Sequence, residues 1–246
     1  LIDFEIHDIH INSSTGSSLG NLTLTNKDVQ QFESWTFVSN QVSTDFPILF
    51  SGTTLEFTNC TFRSNQLAGA GNLLIDRSAT FENCDFIDNH ATQDGGALCI
   101  QTADPIQINN CRFTSNIAGN YGGAIFLGTI TIRADDSNPL IIDNCTFSGC
   151  SGQLGGALYL SRQCELINTN IFESCTCQDE GGSAIYLTSG VTSFILPSTT
   201  IFRNQNDGSH FLIYSNAQDF TCFNLKITEQ SAVSQRGFKL RNGISE

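Results

Sequence analysis

Two short cassettes alternate along this chain, and their spacing restricts it to very few folds. The first reads NCTFRSN at 59–65, NCDFIDN at 83–89, NCRFTSN at 110–116 and NCTFSGC at 144–150. The second reads DGGALCI at 94–100, YGGAIFL at 121–127, LGGALYL at 154–160 and, with one serine inserted, EGGSAIYL at 180–187; a looser copy is AGNLLI at 70–75. Aligned on phenylalanine, Phe37, Phe62, Phe86, Phe113, Phe147, Phe172 and Phe202 hold one column, which Ile11 and Ile227 extend at the two ends. A repeat this regular has to be explained before any single residue is.

Each copy contains three short apolar segments, such as LEF at 55–57, CTF at 60–62 and LLI at 73–75. They alternate apolar, any, apolar, which is the period of a half-buried strand. Corners rich in Asn, Asp, Ser and Gly separate them, and none is long enough for a helix. The pattern predicts an all-β fold, a parallel β-helix of about nine coils of three short strands each. Residues 1–246 are read as a single such domain, a segment of a longer or assembled surface protein. Leu1 as the first residue and the absence of methionine fit a processed or excised segment.

In a coil, equivalent residues stack about 4.8 Å apart. Each inward column then becomes a ladder of like side chains. Cys60, Cys84, Cys111 and Cys145 form one ladder, flanked by Trp35 and Asn170, with the phenylalanines two residues on. The cysteines are expected to pack as small buried hydrophobes. Asn40, Asn65, Asn89 and Asn116 close the cassette at a corner where a left-handed backbone is expected. Spacing along the phenylalanine column widens twice. A 34-residue step places an insertion at 128–139, and a 30-residue step places an extension near 189–198.

Alternating F-x-x-N and G-G-A-[ILV] motifs resemble repeats of the passenger regions of chlamydial polymorphic outer-membrane proteins, and of large surface proteins of some protists. Phe62 with Asn65, Phe86 with Asn89 and Phe113 with Asn116 carry the first motif; Gly95-Gly96-Ala97, Gly122-Gly123-Ala124 and Gly155-Gly156-Ala157 carry the second. Cys150 and Cys175 depart from it by replacing the asparagine. The resemblance implies a right-handed parallel β-helix and a role in surface adhesion. Parallel crossovers are right-handed in general.

Composition excludes some functions. With 24 acidic against 11 basic residues, the net charge of −13 opposes nucleic-acid binding. No apolar run is long enough to span a membrane as a helix. Ten cysteines point to an oxidising compartment. Cys150 and Cys175 share a corner in adjacent coils and are a candidate disulfide, with Cys164, Cys177 and Cys222 as further partners. A metal site at Cys175 and Cys177 lacks a second ligand pair, and His7 and His10 would face opposite sides of a strand. No cofactor is expected.

Asn12, Asn21, Asn59 and Asn144 head N-x-[ST] sequons, which are glycan acceptors if the protein is secreted from a eukaryote and corner residues otherwise. The outward residues beside the Cys-x-Phe strand form no acidic cluster, and Asp135-Asp136 falls in the insertion. Glycosidic cleavage needs paired carboxylates. In the second cassette's strand, however, the residue expected outside is apolar: Leu74, Cys99, Phe126, Tyr159 and Tyr186. That stripe is either covered by the long loops, or is a lateral contact or a platform for sugars. The reading is an extracellular or cell-surface structural or adhesive module, non-enzymatic. Its partner is a host or neighbouring-cell surface protein or glycan, or it self-associates into a fibre. The alternative is a pectate-lyase-like carbohydrate-active enzyme.

Overall fold

The computed structural model describes residues 6–7, 10–12, 15–16, 29–39, 41–42, 54–71, 73–128, 138–179, 181–203, 211–222, 226–227 and 236–240. Every regular element among them is a β-strand. One coil illustrates the rest. Its strands are Thr54–Thr58, Thr61–Arg63, Gln66–Leu67 and Leu73–Ile75. Each pairs in parallel with its counterpart in the next coil, so four sheets run along the rod. The chain is a parallel β-solenoid, as its repeat predicts.

Two details differ from the sequence reading. The described coils from Thr54 to Leu187 have four strands rather than three, because the corner after the phenylalanine strand is itself a two-residue strand. Among the described residues the second sheet runs through nine strands, while the first, third and fourth have seven. The described structure therefore holds about six full turns rather than nine. The serine inserted in the last glycine cassette is absorbed as a shift of register between Gly182 and Ile185.

The phenylalanine column stacks as expected. Phe37, Phe62, Phe86, Phe113, Phe147, Phe172 and Phe202 pair in unbroken register, with Ile11 and Ile227 at the ends. Ring centroids from Phe37 to Phe147 lie 4.7–4.9 Å apart and the planes are within 9° of parallel. A second pile, unrecognised in the sequence, joins Phe32, Phe57 and Phe81 on the first sheet at 4.7 and 4.9 Å. It meets the main pile edge to face, Phe57 against Phe62 at 5.9 Å. Such pairs add to the burial of the rings themselves.

The corners are built differently from the expectation. Asn65, Asn89 and Asn116 are not the left-handed residues. The residue before each is: Ser64, Asp88 and Ser115, at φ of 53°. The left-handed asparagines are Asn59, Asn83, Asn110 and Asn144, each preceding a cysteine, and Asn168. The phenylalanine strand is thus bounded by two left-handed corners, and the side chain after each corner turns inward. Asn65, Asn89 and Asn116 do so to satisfy buried main chain. Asn89 Nδ2 donates to Phe62 O at 2.8 Å and to Asn116 Oδ1 at 2.9 Å, and Asn116 Nδ2 donates to Phe86 O at 2.8 Å. Asn40 lies outside the described residues.

Phe86→Ala should destabilise the fold by about 3–5 kcal/mol, measured by urea denaturation followed by circular dichroism. Asn89→Leu should cost about 1–3 kcal/mol despite its similar volume, because the Phe62 carbonyl loses its donor.

Candidate functional site

The fourth sheet begins at the glycine pair. Gly122 has a φ of +64°, which a side chain rarely adopts, and a Cβ on Gly123 would sit 2.1 Å from Gly156 O in the next coil. Two different constraints therefore require the two glycines. They deliver the chain into Ile125–Leu127, whose ends Ile125 and Leu127 are fully buried while Phe126 points out.

Register makes the outward residues one column: Leu74, Cys99, Phe126, Tyr159, Tyr186, Tyr214 and Lys239. The four candidate stripe residues Leu74, Phe126, Tyr159 and Tyr186 are brought together, each half-buried. Phe126, Tyr159, Tyr186 and Tyr214 stack with centroids 5.4, 5.1 and 4.9 Å apart and planes within 20° of parallel. Tyr121 forms a second row, 4.7 Å from Tyr159. The column is closed at both ends: Cys99 is wholly buried at one, and at the other Tyr214 is buried, with the Lys239 ammonium 5.4 Å from its ring.

This geometry decides what the stripe can present. The ring faces are turned along the rod and used on one another. What remains at the surface is a row of ring edges, those of Phe126, Tyr159 and Tyr186. Stacking on a sugar uses a ring face, and the faces within this row are engaged with one another. Tyr121, Tyr214 and Lys239 were missed in the sequence. FLIYS at 211–215 carries the same alternation as the earlier strands, and the tyrosine preceding Gly122 was the signal for the second row. Burial raises the Asp94 carboxyl, whose Oδ1 accepts the Tyr121 N–H at 3.2 Å. Burial also pushes the Tyr159 phenol up to about 12 and the Cys99 thiol up to about 12.

The cysteines are not merely small and apolar. Cys60, Cys84, Cys111 and Cys145 are buried as expected, but each thiol donates to main chain, as Cys145 Sγ does to Asp143 O at 3.2 Å. Cys84 N–H donates to Cys111 Sγ and Cys111 N–H to Cys145 Sγ, both at 3.4 Å; Cys145 N–H donates to Asn170 Oδ1 at 2.9 Å. Asparagine can follow cysteine in this column because both offer a donor and an acceptor.

Cys150 and Cys175 are free thiols, not the disulfide expected. They occupy the asparagine column and do its work: Cys150 Sγ donates to Phe113 O and Cys175 Sγ to Phe147 O, each at 3.5 Å. In parallel stacking both side chains point the same way, which does not bring the sulfurs together in bonding geometry. None of the ten cysteines forms a disulfide, and nine of them are buried.

Asn59 and Asn144 are exposed at the left-handed corner between the first and second sheets. Asn12 ends the strand His10–Asn12, its side chain outside the described residues, as is all of Asn21. His7 and His10 fall in separate strands of different sheets. Cys175 and Cys177 are joined by no further ligand: no group of three metal-binding side chains occurs among the described residues. Asp135-Asp136 and most of the 128–139 insertion lie outside the described residues.

The extension near 189–198 contains a strand, Ser193–Leu196, which pairs with Asp219–Cys222 and not with Cys164–Ile167 beneath it. The break leaves a groove of 530 Å³ whose lining includes Pro139, Glu165, Ile167, Ser193, Ile195 and Pro197. Glu165 is the acidic residue among those lining it. On the second sheet, Asp85 is held by Arg112 through two bonds of 2.6 Å.

Residues 46–243 match the family model of the right-handed β-helix region. The chain belongs to the right-handed β-helix family. It is also similar to metabotropic glutamate receptor-like protein P of Dictyostelium discoideum, 26% identical over 85 residues. That stretch is 35% of this β-helix chain and 6% of the receptor-like protein. No solved structure matches. No helix among the described residues is long and apolar enough to cross a membrane. Membership of the family establishes fold and handedness; function has to come from the surface.

The buried thiol and phenol set a direction for alkaline pH. Cys99 normally titrates near 9.0 and is raised in the fold. Between those two values the unfolded chain has lost a proton that the folded chain keeps, so stability falls as pH rises. The melting temperature should drop from pH 9 towards pH 12, and Cys99→Ala should make that drop shallower. At pH 8, an alkylating reagent on the folded protein should label the exposed Cys222 ahead of the nine buried cysteines, read by peptide mass spectrometry.

Proposed function

We propose that this β-helix is an extracellular, non-enzymatic structural or adhesive module that meets another protein surface through its fourth sheet. The aromatic ladder from Phe126 through Tyr159 to Tyr186 carries this reading. An apolar stripe held half-exposed on a rigid sheet is a feature of interaction surfaces. Tyrosine is enriched there, because it offers area and a hydroxyl at low cost in side-chain entropy. The partner is a protein on a neighbouring or host cell, or a second copy of the chain. Partial similarity to a protist receptor-like protein supports a place at the cell surface. On the outward positions of the second sheet, acids and bases pair with one another, Asp85 with Arg112 and Glu173 with Arg203 at 3.7 Å. Such pairing favours a binding rod over a hydrolytic centre.

The test compares the chain with Tyr159→Ala/Tyr186→Ala, first for self-association by sedimentation over a concentration series, then for capture of intact cells by protein-coated beads. The variant should lose affinity by about 30-fold in one of the two assays, while retaining its circular dichroism spectrum. Equal behaviour of variant and parent in both assays overturns the proposal.

A further inference from the structure

We infer that Asn59 and Asn144 are acceptors of N-linked glycans that clothe the corner between the first and second sheets and leave the fourth sheet as the bare face. The inference rests on the extracellular reading above. Five asparagines take the left-handed conformation at this corner: Asn59, Asn83, Asn110, Asn144 and Asn168. Backbone geometry accounts for all five, so asparagine alone marks nothing. What separates Asn59 and Asn144 is the residue two positions on. In these coils it is the first outward position of the phenylalanine strand, occupied by Thr61 and Thr146, where Asn83 and Asn110 are followed by Asp85 and Arg112. Two positions after Asn168 stands the buried Asn170, which continues the cysteine column, and the residue paired with Thr146 is Ile171.

The fold places both parts of each sequon outside. Asn59 and Asn144 are exposed, and Thr61 and Thr146 point outward from the strand. Only the middle residues, Cys60 and Cys145, are buried. Transfer therefore takes place on the extended chain before the coil closes, and the closed coil has room for the product. The donor is a lipid pyrophosphate-linked oligosaccharide. Asparagine Nδ2 bonds to the anomeric carbon, the bond from that carbon to the pyrophosphate oxygen breaks, one amide proton is lost, and the lipid pyrophosphate leaves. One amide hydrogen remains. In Asn144 it suffices for the bond Nδ2 already donates to Asn110 Oδ1 at 2.8 Å, which orients the amide and hence the first sugar.

The two sites lie three coils apart on one column, about 14 Å along the rod. The chain passes from the first sheet through this corner to the second, then the third, then the fourth. The corner is therefore across the coil section from the aromatic ladder, and glycans there shield one edge without covering the proposed contact face.

The protein isolated from the cells that produce it, after intact cells are treated with a membrane-impermeant labelling reagent, is digested with peptide N-glycosidase in heavy-oxygen water. Heavy aspartate is expected at positions 59 and 144. Thr61→Ala and Thr146→Ala should each remove the label from their own site only, leaving the left-handed asparagine in place. Unconverted peptides from protein that the surface reagent has labelled overturn the glycan inference alone. Unconverted peptides from protein that the reagent does not reach overturn it together with the extracellular reading.

Discussion

Parallel main-chain pairing between successive coils is the constraint on which the rest of this molecule depends. A one-residue slip would exchange inside for outside in a strand, and no slip occurs along the phenylalanine column from Phe37 to Phe202. Once register is held, every inward position becomes a pile of neighbours at the coil spacing. Rings then stack on rings and thiols on thiols. A single coil cannot bury its own apolar side, so stability belongs to the stack.

Sharp corners create a second requirement. They leave main-chain groups facing the interior, where an unpaired donor or acceptor is costly. The chain meets this with two polar ladders. Asn65, Asn89 and Asn116 serve the carbonyls of the phenylalanine strands, and the cysteine thiols serve the corner before them. The same reasoning explains why Cys150 and Cys175 can replace asparagine without a disulfide: a thiol still has one proton to donate. The buried cysteines of this fold contribute hydrogen bonds in a tight space.

The outside of the rod is where individuality lies. The corner asparagines, the paired charges of the second sheet and the half-exposed aromatics of the fourth obey the same vertical repeat as the core. Stacking along the rod spends the ring faces on each other and directs edges outward. A surface contact built this way is linear, rigid and set by the coil rise. It favours a partner that meets several coils at once.

The sequence by itself determined the fold class, the phenylalanine pile, the buried cysteine ladder and the position of the outward stripe through Leu74, Phe126, Tyr159 and Tyr186. These follow from a repeat in which period alone assigns inside and outside. Tertiary structure decided what period cannot express. The left-handed residue is Ser64 and not Asn65, because that choice depends on which side chain can reach the carbonyl in the neighbouring coil. Cys150 and Cys175 remain thiols in adjacent coils because each donates to a phenylalanine carbonyl of the coil before it. The tyrosines offer edges and not faces because ring orientation is set by the residue above and below, and neither neighbour is adjacent in the chain.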